Sequence, residues 1–211
     1  MTNPHLLVDR LITGMQMTRE AFLRAWDASP ELKNAELIEG IVYVPSPVSA
    51  THAEFDFLIH LWLGTYAVHN GKCQGGANAT WLMLESAPQP DSHLRLLPEF
   101  GGRSRQELGK FTGAPELAVE ICVTSREVDF GPKLALYQRA GVREYITLET
   151  LIPCVQWRVL ENSSYRIVEP DTEGVFRSEV FPGLWLDTKA LWSKNSAALL
   201  ACLQKGIAAN G

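Results

Sequence analysis

Three residues have the types and surroundings to do chemistry together. Asp91 follows Pro90 at the head of a candidate strand. Glu120 lies inside the apolar run Leu117-Ala118-Val119-Glu120-Ile121-Cys122-Val123, and Lys133 stands near the start of the next helical pattern. An unpaired carboxylate is so costly to bury that such a residue normally has a partner, a raised pKa or a bound metal. Glu120 is therefore the most informative residue of the chain. Two acids on neighbouring strands with a lysine on the following helix suit metal-assisted hydrolysis of a phosphodiester. Carboxylates hold an ion that polarises the phosphoryl oxygen and lowers the pKa of an attacking water, Mg²⁺ needs only one or two of them, and a cation steadies the developing charge. Each residue also has a plainer reading. An aspartate after proline can simply start a turn, a buried glutamate can be a salt-bridged structural acid, and a lysine early in a helix is most often solvated.

The elements that must position these residues are readable from periodicity. Thr18 can cap an amphipathic helix through Trp26, with Phe22, Leu23 and Trp26 at helical spacing, which reads as a lid over a sheet. Glu36 to Val44 alternates about the Glu39-Gly40 turn signal and predicts a hairpin, stopped by Pro45 and Pro47. From Ala50 to His69 the residues Phe55, Leu58, Ile59, Trp62, Leu63 and Tyr66 recur at steps of three and four, and Asn70-Gly71 ends the run, so a helix is predicted whose aromatics are core. Strands are expected at Thr80 to Leu84, Pro90 to Leu97 and Glu116 to Val123, with the Gly-rich charged stretch Glu99 to Ala114 as a surface loop. A helix follows Asp129 and stops at Gly141, with Asp129 as its cap. Strands are then expected at Glu144 to Leu148, Val155 to Leu160, Tyr165 to Val168 and Val175 to Val180, and a helix over Leu191 to Leu203. The class is α/β (α+β): a mixed central sheet flanked by helices, with additional antiparallel strands. We read one domain over residues 1–211, with residues 1–30 as an N-terminal helical lid and 187–211 as a C-terminal helix.

Composition bounds the function. The chain has 211 residues, 46% of them hydrophobic and 20% charged, which is ordinary for a folded globular domain. No apolar stretch is long enough to span a bilayer, and Met1 to Gly14 lacks the pattern of an export leader. Cys73, Cys122, Cys154 and Cys202 form no Cys-x-x-Cys pair, as expected of free thiols in a reducing cytoplasm. A formal net charge of −5 argues against coating nucleic acid by general electrostatics, though not against a locally suited cleft.

The spacing of the residues carries more. Pro90-Asp91, then Glu120 in a buried strand, then Asp129-x-x-x-Lys133-x-x-x-Tyr137-x-x-x-Gly141-Val142-x-Glu144-Tyr145 resembles the Uma-type family of restriction endonucleases. The similarity extends to Glu36-Leu37-Ile38-Glu39-Gly40, to Pro47 with His52, and to Phe181-Pro182-Gly183-Leu184, and so covers nearly the whole chain. The family belongs to the PD-(D/E)XK nuclease superfamily. The resemblance implies a restriction-endonuclease-like core, with Asp91 and Glu120 ligating Mg²⁺ (or Mn²⁺), Lys133 stabilising or activating, and Glu36 adding a further acid. It also implies DNA as substrate and a homodimer as the assembly. The chain departs from the pattern in three places. Cys122 stands two residues after Glu120 where the superfamily has lysine, Val123-Thr124-Ser125 replaces a Ser-Pro turn, and the stretch from Asp91 to Glu120 is long. Two other functions compete with cleavage of DNA: a non-catalytic relative that binds nucleic acid or a protein, and a cysteine hydrolase using Cys122 or Cys73 with His52. His52 otherwise reads as structural.

Overall fold

The computed structural model describes residues 10–210. Most of the stretch read as lacking a leader, and the first residues of the expected lid, lie outside them. The first helix, α1 (Arg19–Asp27), is capped by Thr18 as expected and leads into the hairpin β1 (Glu36–Ile38) and β2 (Ile41–Tyr43). Phe22 of α1 packs with Leu37, Val42 and Ala87 in a small cluster of its own. The helix therefore covers the hairpin and not the main sheet. The long α2 (Ala50–Asn70) starts at Ser49, whose hydroxyl accepts from the His52 amide at 3.2 Å, and ends at Gly71 with φ 66°.

Six strands form the central sheet: β3 (Cys73–Ala77), β5 (Ser92–Leu96), β8 (Leu117–Cys122), β9 (Glu144–Glu149), β10 (Cys154–Glu161) and β11 (Ser164–Val168), with β4 (Trp81–Leu82), β6 (Arg105–Glu107) and β7 (Lys110–Thr112) forming a separate three-stranded sheet. The central order is β11-β10-β9-β8-β5-β3. Within this central sheet β8 and β9 are the parallel pair among the described residues, and two short helices, α3 (Arg126–Asp129) and α4 (Pro132–Ala140), make the crossover between them. The chain closes through the hairpin β12 (Val175–Arg177) and β13 (Trp185–Asp187), then α5 (Thr188–Trp192) and α6 (Ser196–Ala209).

Alternation along β8 decides which side chains meet which helix. Leu117, Val119 and Ile121 face the larger core, with Leu58, Trp62 and Tyr66 of α2 and Leu199 and Leu203 of α6. Ala118 faces the other way, into the cluster of Leu136, Tyr137, Tyr145 and Trp81. Glu120 shares the parity of Ala118 and so points toward α4. Among the described residues no helix is long and apolar enough to cross a membrane.

Four expectations need correction. The strand over Thr80 to Leu84 is only the two residues of β4, because Leu84 turns back at φ 50°. The stretch Glu99 to Ala114 is not a loop. It holds the β6-β7 hairpin, anchored by Phe111 stacking on Trp81 with ring centroids 4.6 Å apart. The strand from Val175 stops at Arg177 because Ser178 turns to bind the amides of Val180 and Phe181. The closing helix is two helices, since Lys194 takes φ 54° and the Asn195 side chain caps α6 by accepting from the Ala198 amide at 3.0 Å.

Candidate functional site

The site forms where β1, β5, β8 and the α3-α4 joint converge. Gly131 makes the joint possible: a Cβ there would lie 2.5 Å from the Glu127 carbonyl oxygen. Pro132, whose ring suits a first helical turn, then starts α4. Lys133 and Tyr137 follow one turn apart on the face turned to β8.

Lys133 is 5% exposed, and its ammonium is the hub. Nζ lies 3.0 Å from Glu36 Oε1, 3.1 Å from Glu120 Oε1 and 3.6 Å from Asp129 Oδ1. Glu120 Oε1 also accepts from the Tyr137 hydroxyl at 2.7 Å, and Glu36 Oε1 from the Gln89 amide at 2.6 Å. Asp91, just ahead of β5, accepts at Oδ2 from the Ile121 amide at 2.7 Å, which fixes it beside Glu120 on the neighbouring strand. His52 Nε2 of α2 reaches the same oxygen at 3.3 Å.

Burial governs the protonation of the acids, raising the carboxyls of Glu120 and Glu36 above their ordinary value while Lys133 pulls in the opposite direction. For Lys133, burial works against the ammonium, but Glu120, then Glu36, Asp129 and Asp91, outweigh it and hold it charged. His52 is raised by its hydrogen bond with Asp91, against its own desolvation. Formally four carboxylates face one ammonium and one imidazole. Even with His52 protonated, the surplus is that of one divalent cation.

All four residues assigned from the sequence are brought into this region: Glu36, Glu120 and Lys133 in direct contact, and Asp91 on the adjoining strand. One residue was misread. Asp129 caps nothing: it ends α3, 1% exposed, and pairs with Lys133. The four-residue step from Asp129 to Lys133 was the available signal. His52 is an Asp91 partner as well as part of the α2 start. Tyr137, quoted only as a motif position, holds Glu120. Glu144 and Tyr145, the most distinctive part of that motif, are structural. Glu144 accepts from Ser178 Oγ at 2.6 Å and from the Glu179 amide at 2.8 Å, and Tyr145 donates to the Asp129 carbonyl at 2.9 Å.

The donors fit a hard cation. They are carboxylate oxygens, and two buried polar atoms around them lack a hydrogen-bond partner among the described residues: Asp129 Oδ1 and His52 Nδ1. Among the described residues no group of three or more His, Cys, Asp or Glu side chains is arranged to hold a metal ion. Cys122 does not belong to the set. Burial pushes its thiol far up, and that of Cys73 up to about 11, leaving neither as the thiolate a cysteine hydrolase needs.

A mixed sheet with helices on both faces and acids at adjoining strands defines a restriction-endonuclease-like fold. A solved structure described as "a putative nuclease belonging to DUF820", from Anabaena variabilis ATCC 29413, shares it, with a TM-score of 0.68 at 14% identity, covering 84% of this chain and 98% of that one. At that identity the likeness speaks for the fold alone. The chain matches the family "Uma2: Putative restriction endonuclease" over residues 19–189 and belongs to it. No curated protein matches.

Proposed function

We propose that the protein is a metal-dependent endonuclease that hydrolyses DNA, with Asp91 and Glu120 holding Mg²⁺, for which Mn²⁺ can substitute. The observation that carries the reading is the cluster of four acids, Glu36, Asp91, Glu120 and Asp129, around Lys133 and His52: when all are ionised they exceed the two bases by two charges, which a divalent cation would balance. When bound, the ion supplies Lewis-acid polarisation of the phosphoryl oxygen and an acidified water. The residues of the chain do the rest. Lys133, held charged and fixed by three acids, stands ready to meet the negative charge that develops on the phosphate. Tyr137 and His52 are positioning residues, orienting Glu120 and Asp91. Glu36 anchors Lys133 from the opposite side to Glu120. Family membership supports a nucleic-acid substrate, and the free thiols support a cytoplasmic setting. A homodimer is part of the same proposal and is read by light scattering of the purified protein.

The test is nicking of supercoiled plasmid with Mg²⁺ or Mn²⁺. Asp91→Ala and Glu120→Ala should each lower it about 100-fold or more, beyond the loss seen for outer supporting groups. Unchanged nicking in both would falsify the assignment. A second reading, a non-catalytic module that binds nucleic acid or a protein partner, is favoured by Cys122 at the usual lysine position and by the acidic net charge. Binding without metal-induced stabilisation would select it.

A further inference from the structure

A cavity of about 580 Å³ lies between α2 and the edge strand β3, and the carboxylate centre does not use it. We propose that it takes an unpaired nucleobase of the strand held at that centre, an inference that rests on the nuclease reading.

Three observations carry it. The first is charge. In a chain with more acids than bases, no carboxylate among the described residues lines the cavity, whereas Arg95 does, together with the amides of Gln74 and Gln106. Arg95 bonds Gln74 and lies over the Phe111 ring, 5.1 Å from its centroid. Aromatic and guanidinium planes are where unstacked bases rest, with amides reading their edges. Leu63 and Val68 supply apolar wall. The second is an unsatisfied group: His93 lines the cavity, is 1% exposed, and its Nδ1 has no hydrogen-bond partner among the described residues. An imidazole nitrogen can donate or accept, according to the tautomer. The third is Gly64. It sits in the middle of the 21-residue α2, where glycine is a poor choice, and a Cβ there would meet nothing within 4 Å. No packing requires it, and its absent side chain keeps the cavity open.

Placement agrees with the nuclease reading. Asp91, His93 and Arg95 alternate along one strand face, so Arg95 lies about 13 Å beyond Asp91 at about 3.3 Å per residue. That is about four base steps of 3.4 Å. His60 joins the two regions: it lines the cavity, and its Nε2 lies 3.2 Å from the Asp91 carbonyl oxygen.

The test is fluorescence anisotropy with a labelled single-stranded 12-nucleotide DNA, and its RNA counterpart, with Ca²⁺ replacing Mg²⁺ and strand integrity checked by gel. Gly64→Leu puts a side chain into the cavity from a position where a Cβ meets nothing within 4 Å, and Arg95→Ala removes the cation. Each should weaken binding of at least one of the two strands tenfold or more, with circular dichroism unchanged. A strand built of abasic sites should bind the wild type tenfold more weakly than the same strand with bases, and Gly64→Leu should not weaken that binding further. Wild-type affinity in both variants, equal affinity for the abasic strand, or no binding of either strand by the wild type overturns the proposal. Metal-dependent nicking alongside such a failure leaves the nuclease reading intact. Base-dependent binding without nicking sinks that reading and keeps the cavity.

Discussion

Replacing Lys133 by methionine leaves Glu36, Glu120 and Asp129 buried without their shared cation, a loss of the kind that costs about 3–5 kcal/mol. Urea unfolding should show it. Glu120→Gln does the reverse. It keeps an acceptor for Tyr137 and removes one surplus charge, and Lys133 retains Glu36 and Asp129, so the metal-free variant should melt about 2–4 °C higher per kcal/mol relieved. The same variant should lose the melting shift that Mg²⁺ gives the wild type. The sign of the pH dependence follows. Glu120 and Glu36 have raised carboxyls in the folded state; their contribution is complete below about 4.5 and is lost as pH climbs through their folded values. His52, also raised, loses its share above about 6.5, and Lys133 adds no opposing trend there. Calorimetry in EDTA should therefore show melting temperature falling from pH 5 to pH 9. Mg²⁺ should flatten the fall, because ligation favours the ionised acids and releases their protons. A flat metal-free profile would remove the charge surplus on which the proposed function stands. Among the residues, Glu120 was legible because an acid in an apolar strand is a local anomaly. Asp129 was not, because a carboxylate ahead of a helix looks like a cap until the Gly131 break between α3 and α4 is known.

The same contrast holds for elements. α2, β8 and α4 could be read because each buries a face with its own period: six apolar residues at helical steps, a continuous apolar run, and a stop at Gly141, whose φ is 84°. β3 could not, since Gln74-Gly75-Gly76 has neither alternation nor strand-forming side chains. Gly76 is there because a Cβ would lie 2.5 Å from the His93 ring, a constraint set by another strand. The β6-β7 hairpin was hidden because its stretch is Gly-rich and charged, and its one leucine between the strands, Leu108, is 99% exposed at the turn. The break between α5 and α6 was missed although Ser193-Lys194-Asn195-Ser196 interrupts the apolar spacing and asparagine is a common helix N-cap. Two substitutions test how elements place the site. Gly131→Ala drives a Cβ into the Glu127 carbonyl, and moving the α3-α4 joint moves Lys133. It should destabilise the protein by about 1–3 kcal/mol and reduce the Mg²⁺ melting shift, whereas a purely local strain would leave that shift unchanged. Gly64→Ala, with nothing within 4 Å of its Cβ, should stabilise by about 0.5–1 kcal/mol. Denaturant midpoints at constant m-value check both.

At the scale of the molecule, charge sets how nucleic acid must be held. The chain carries 19 Lys and Arg against 24 Asp and Glu, and four of the acids converge on the site toward which a phosphate has to come. On the proposed function, general attraction does not bring it there, and affinity would come from a bound cation, Lys133 and a few local contacts. Two outcomes follow for duplex DNA at low salt. Mg²⁺ or Ca²⁺ should raise affinity above that in EDTA, because neutralising the carboxylates removes the repulsion felt by the phosphate. The dependence on monovalent salt should also be shallow. A footprint that neutralises two or three phosphates gives a slope of log K against log salt of about −2 to −3, at about −0.9 per phosphate. A slope steeper than about −6 would require a broad basic surface, and the excess of acids over bases in this chain leaves little basic charge from which to build one.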